Sequence, residues 1–265
     1  MPAFIRLALA VSVLASPAFS TRATTPGKTY APVRVSYAAD SDPDLAALVA
    51  SLRNAAKAKQ AEPFETAMAP SFVALDCAAN PLKACAPGKA KIVGGKAGKP
   101  LERMRLAFCC EGKASPDTPV ESQDETMFAI LAATLDAKTI GPNPDAKGEV
   151  CAPALPAFDR AKAGKAAKAA GVEPENLRVA TVDMPLRRRP TREYEPAATI
   201  EAGALAPIVT DLTDDTPAGW TAVGLPDGSV GYTDALGFDE LAPAAICFGK
   251  AQGQWRIVST IQRDQ

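Results

Sequence analysis

The chain has 265 residues, enough for one large or two modest domains, and its 47% hydrophobic and 22% charged content specifies a folded core rather than global disorder. A formal net charge of −1 gives no cationic footprint for nucleic acid, which removes that class of partner. Histidine is absent altogether, which excludes Ser-His-Asp hydrolases, Cys-His peptidases and nearly all zinc hydrolases.

The chain opens on "MPAFIRLALAVSVLASPAFS", with one early arginine, a short apolar run and small residues at Ala18 and Ser20. That order predicts a signal peptide over residues 1–20 and an exported, periplasmic or extracellular protein. No cysteine stands at the expected cut for a lipid anchor, and no later apolar run is long enough to cross a bilayer. Residues 21–40 have turn formers without a sustained period and read as a linker.

Residues 41–60 predict a helix: Asp42 or Ser41 caps it, Pro43 suits its first turn, and Leu45, Leu48, Val49 and Leu52 share one face. A short helix, "EPFETAMA", and a strand, "SFVALDC", follow. The lysine- and glycine-rich stretch at residues 86–100 reads as a loop; it fails as a phosphate loop because Pro100 stands where a magnesium-binding Ser or Thr belongs. Helices are expected over "LERMRLAFCC", "DETMFAILAATLDAKT" and "FDRAKAGKAAKAAG", the last closed by Gly171.

Six cysteines lie after the leader, an even count that suits disulfides in an oxidising compartment. Cys77 and Cys85 are the expected pair, since the loop between them holds Asn80 and Pro81 and turns back readily. Adjacent Cys109 and Cys110 would be strained as a pair, so each is expected to reach a distant partner such as Cys151 or Cys247. Without a C-x2-C spacing or a histidine, no metal site is expected, and nothing calls for a cofactor.

From Asn176 onward the pattern changes to short strands: "LRVATVDM", "ALAPIVTDL", "GWTAVGLP", "GSVGYTDA", "PAAICFG" and "QWRIVSTI", separated by turn residues. Asp227 and Gly228 predict a two-residue hairpin turn with positive backbone angles, and Gly231 a close approach beside Trp220. Within this stretch Arg189 and Pro190 in a long polar loop, then Trp220, then Asp227 and Gly228, then Gly231 and Tyr232, resemble the bacterial Src-homology-3-like barrel family (SH3b). The resemblance covers about a third of the chain. It implies a ligand groove bordered by the arginine loop, with Arg189, Tyr194, Trp220 and Tyr232 as contact residues. The opening helix pair and strand are similar to the start of cone-shaped nuclear-transport-factor-like domains, but the long curved sheet of such domains does not follow.

The expected fold is therefore α+β in two domains: a mainly helical domain over residues 41–172, then a small antiparallel SH3-like β-barrel over 176–265 with an extra C-terminal hairpin. The expected function is an exported, non-enzymatic binding protein whose barrel contacts peptide, peptidoglycan or an envelope protein. One alternative is a cell-envelope glycan-acting enzyme that uses carboxylates of the N-terminal domain, drawn from Glu111 and Asp117, or from Glu121, Asp124 and Glu125. Another is a structural or inhibitory protein with no small ligand.

Overall fold

Asp42 starts the first helix as the sequence predicts, its carboxylate accepting from the backbone N–H groups of Asp44 and Leu45 at 3.0 and 3.2 Å. The computed structural model describes residues 28–93, 98–109, 119–137, 139–210 and 216–263; the expected signal peptide lies outside them. Helix α1 (Pro43–Lys57) buries Leu45, Val49 and Leu52, and the single turn-and-a-half of α2 (Glu62–Ala67) buries Phe64. Strand β1 (Met68–Cys77) follows directly, so the strand starts earlier than its alternation suggests and carries Pro70 within it. Within the lysine-rich stretch, Lys91–Val93 form β2, antiparallel to β1. Then come α3 (Pro100–Cys109), α4 (Val120–Leu135), β3 (Gly141–Pro142), β4 (Val150–Ala152) and α5 (Arg160–Ala170). Asp159 caps α5 through the N–H of Lys162, and Gly171 ends it in the left-handed region at φ 71°.

The C-terminal third supplies β5 (Leu177–Ala180), β6 (Met184–Leu186), β7 (Ala198–Ile200), β8 (Leu205–Pro207), β9 (Thr221–Gly224), β10 (Val230–Thr233) and β11 (Phe238–Glu240). It ends in the long pair β12 (Ala245–Ala251) and β13 (Gln254–Arg263). The molecule is mixed α+β.

The final hairpin does not extend the small strands around it. Instead β12 and β13 form the centre of a six-stranded sheet, β2-β1-β13-β12-β4-β3, in which β13 runs parallel to β1 and the other pairs are antiparallel. The sheet that carries the opening helices is thus completed from the far end of the chain. Residues 153–244 are a single excursion between the neighbouring strands β4 and β12.

One face of this sheet carries Ala74, Val150, Ala152, Ile246, Phe248 and Ile257, packed with Phe64, Met104, Met127 and Leu131 of the helices. The opposite face carries Leu75, Cys77, Cys151, Ala245, Cys247 and Ile261, with Cys85 and Leu155 laid over it. Alternation along each strand divides the residues between these two faces.

The excursion has its own apolar centre, where Met184, Leu186, Ile200, Ala206 and Val223 meet. Its strands form three small sheets, β11-β5-β8, β6-β7 and β9-β10. Single bridges join them, Ile208 to Val223 and Arg187 to Tyr232. Among the described residues no continuous ladder closes these strands into a barrel.

The stretch expected as a linker is also part of the fold from residue 28 on. Val33 and Val35 are buried against Ala163, Ala167, Leu177, Val179 and Leu205, and Arg34 and Ser36 bridge Ala204 and Ala157. The Tyr30 hydroxyl donates to the carbonyl of Gly224 at 2.7 Å. Two valines in alternation suffice to seat a strand this short, yet fall below what periodicity detects.

Candidate functional site

The hairpin β9–β10 fixes the geometry of the region. Its turn is not the two-residue type: the N–H of Gly228 donates to Leu225 at 2.9 Å, and the N–H of Leu225 to Ser229 at 2.8 Å. Among the residues of this turn only Gly228 has a positive φ, 84°. Pro226 is the reason: it has no N–H to donate across the neck of a two-residue turn, and its fixed negative φ suits the first corner of the common turn that ends in a left-handed glycine. Asp227 steadies the corner by accepting from the N–H and hydroxyl of Ser229 at 2.9 and 2.6 Å, which holds its carboxyl below the usual range. Gly231 does mark a close approach, but to Leu186 on β6: an added Cβ would sit 3.1 Å from the Leu186 Cβ.

That approach brings the arginine loop onto β10. The backbones of Arg187 and Tyr232 exchange two hydrogen bonds of 2.8 Å each. The Arg187 guanidinium donates to the carbonyl of Tyr194, and Arg192 Nε lies 2.5 Å from Asp234 Oδ2. The hydrogen bond from Arg192 holds the Asp234 carboxyl below its usual range. Two of the four arginines therefore pin the loop.

Arg189 and Tyr194 come together on the outer side of the pinned loop. The guanidinium carbon of Arg189 is 5.6 Å from the centre of the Tyr194 ring, and its Nη1 is 3.5 Å from the phenol oxygen. Both side chains are exposed, Tyr194 at 47%. Arg188 is exposed beside them. Tyr232 is half-buried and joins this group through its backbone pairing with Arg187. Trp220 is half-buried just before β9, two residues from Ala222, the register partner of Tyr232. The structure thus joins Arg189 to Tyr194 by side-chain contact and anchors their loop on Tyr232, while Trp220 belongs to the adjoining strand.

The cysteines are distributed as follows. Cys77 and Cys85 are disulfide-bonded, as are Cys151 and Cys247. The second pair corrects the expectation that Cys109 or Cys110 would reach one of these two. Cys151 and Cys247 face one another in register on β4 and β12, with Cα atoms 4.0 Å apart. Cys110 lies outside the described residues. The Glu149 carboxylate approaches both sulfurs of the second pair within 4.8 Å, but those sulfurs are spent in the disulfide and do not offer thiolates to a metal. Burial raises the Glu149 carboxyl above its ordinary range, against hydrogen bonds from Asn143 and Ser259.

Among the described residues, two of the acids singled out in the N-terminal part are held in ion pairs. Asp124 pairs with Arg105 at 2.6 Å, and Glu125 with Lys59 at 2.7 Å. The hydrogen bond from Lys59 lowers the Glu125 carboxyl, the opposite of what a general acid needs. Glu121 is exposed in the first turn of α4, and Glu111 and Asp117 lie outside the described residues.

Tyr37, Asp239 and Glu240, which line a cleft near where the excursion leaves and rejoins the six-stranded sheet, carried no sequence signal. Their meeting depends on contacts between remote parts of the chain. No protein-family model, curated protein or solved structure matches the chain. The two disulfides fit an exported protein, and among the described residues no helix is long and apolar enough to cross a membrane.

Proposed function

We propose that this is an exported, non-enzymatic binding protein, and that the excursion is an SH3-like barrel presenting the arginine loop to peptidoglycan. The order of pairing supports the barrel reading: β11, β5 and β8 pair in turn, and bridges carry the series on through β9 and β10 to β6 and β7. The observation that carries the functional reading is the Arg189–Tyr194 contact on a loop already pinned by Arg187 and Arg192. An exposed guanidinium beside a phenol ring, on a loop fastened at both ends, is available to a carboxylate as a charged donor with an aromatic neighbour. The peptide stems of peptidoglycan carry such carboxylates on a polymer that also offers sugar faces to Tyr194. The carboxylate-enzyme reading has less support, because Asp124 and Glu125 are engaged in ion pairs with Arg105 and Lys59.

The test is co-sedimentation of the mature protein with isolated peptidoglycan, beside an Arg189→Ala, Tyr194→Ala double variant. Saturable binding by the native protein, weakened about tenfold or more in the variant, is expected from loss of a charge-assisted contact and its aromatic neighbour. Equal binding by both proteins contradicts the assignment to this loop, and no binding by the native protein contradicts peptidoglycan as the partner.

A further inference from the structure

Arg178 on β5 and Glu240 on β11 are register partners, so their side chains stand side by side on one face of the small sheet, with Cβ atoms about 5 Å apart. Both line an open pocket of about 440 Å³. Ala79, in the loop closed by the Cys77–Cys85 disulfide, borders it on one side, and Ala242 and Ala244, after β11, border it on another. These three side chains are methyl groups. The polar chemistry of the pocket therefore belongs to the charged pair, with Glu175 and Asn176 from the turn before β5.

Arg178 and Glu240 are adjacent and opposite in charge, yet among the described residues neither takes part in a salt bridge. Arg178 Nη1 is drawn back to the carbonyls of Glu175 and Leu177, at 2.6 and 3.0 Å. Its Nε and Nη2 remain accessible and have no protein acceptor among the described residues. The Glu240 side chain is exposed, and its carboxylate accepts no hydrogen bond from the described residues. The pocket thus holds a cation and an anion side by side, each with bonding capacity to spare. An ion of one sign would satisfy one of them and be repelled by the other. A molecule that carries both signs on neighbouring atoms satisfies both.

We propose that this pocket binds a free α-amino acid as its zwitterion. The ligand carboxylate takes the open side of the Arg178 guanidinium, and the ligand ammonium takes Glu240. The amino acid bears these two groups on a single carbon, and the sheet bears their partners on neighbouring strands. Glu175 adds a second carboxylate to the lining, which disfavours a ligand of net negative charge. The site shares no residue with the arginine loop and takes a small molecule, so it stands or falls independently of the peptidoglycan reading.

The probe is L-alanine, titrated into the intact protein and followed through backbone amide resonances. It is compared with L-alaninamide, which lacks the carboxylate, with N-acetyl-L-alanine, which lacks the ammonium, and with a Glu240→Gln variant. Saturable shifts centred on residues 176–178 and 240–242 are expected with L-alanine. Affinity should fall about tenfold or more for each analogue, and by a similar factor for L-alanine on the variant, as loss of one charged contact implies. Glu240 is exposed, so the variant should keep the native spectrum elsewhere and its unfolding midpoint. Binding of either analogue as tightly as L-alanine, undiminished L-alanine binding by the variant, or no saturable shifts at all would each overturn the proposal.

Discussion

Glu149 shows how much one side chain's surroundings decide. Its carboxyl lies beside a buried disulfide and is hydrogen-bonded by Asn143 and Ser259, yet desolvation outweighs those bonds and favours the neutral acid. A carboxyl whose pKa is raised on folding stabilises the fold while protonated, and that contribution is lost as pH rises above its unfolded value of 4.5. Glu149→Gln removes this dependence. Urea unfolding across a pH series should therefore show the variant gaining on the native protein as pH rises through the carboxyl range. A gap that stays constant with pH would contradict the reading.

Residue-scale features were unevenly legible. Asp42 as a helix cap and Gly171 as a helix stop could be read directly, because capping depends on residues within four positions. The turn at Asp227 and Gly228 was legible as a turn, but its type depended on Pro226, which has no N–H to close a two-residue turn, so Leu225 donates to Ser229 instead. The close approach at Gly231 was legible in kind, while its partner Leu186 lies on a strand that only the fold brings near.

Among the elements, the amphipathic helix α1 and the strands β9 and β10 were readable from period and turn signals. The segment carrying Val33 and Val35 was not, since its strand character comes from the partners it meets: α5, β5 and β8. This segment is an integral strap, and Val33, 4% exposed, tests it. Val33→Ala should cost about 2 kcal/mol in chemical denaturation, from lost burial plus an imperfectly closed cavity. A cost near zero would return the segment to the status of a linker. The arginine loop belongs to the same scale. Its run of four arginines is conspicuous in the sequence, but its division into two anchors and an outward pair depends on Tyr232 and Asp234 on β10.

At the scale of the whole molecule, the chain returns to its beginning. Strand β13 closes against β1 in parallel, and no local pattern announces a pairing between residues so far apart in sequence. The same return explains the disulfide at Cys151 and Cys247, which spans 96 residues and fastens the two strands from which the excursion leaves. Cys77 and Cys85 are separated by only 8 residues. In the chain-entropy account the long loop stabilises by about 4–5 kcal/mol and the short one by about 2–3 kcal/mol. Replacing each pair by alanines should therefore lower stability more for Cys151 and Cys247 than for Cys77 and Cys85. The reverse order would indicate that local packing, rather than loop closure, sets their contribution.

The excursion also places the arginine loop and the main helical core in different parts of the fold, joined through β4, β12 and the N-terminal strap. A binding role for the loop therefore needs no rearrangement of the six-stranded sheet. Hydrogen exchange of the mature protein with and without soluble peptidoglycan fragments tests this most directly. The account predicts protection concentrated at residues 187–196 and at the adjoining β10, with the helices unchanged. Protection confined to the helices, or none at saturating fragment, would contradict it.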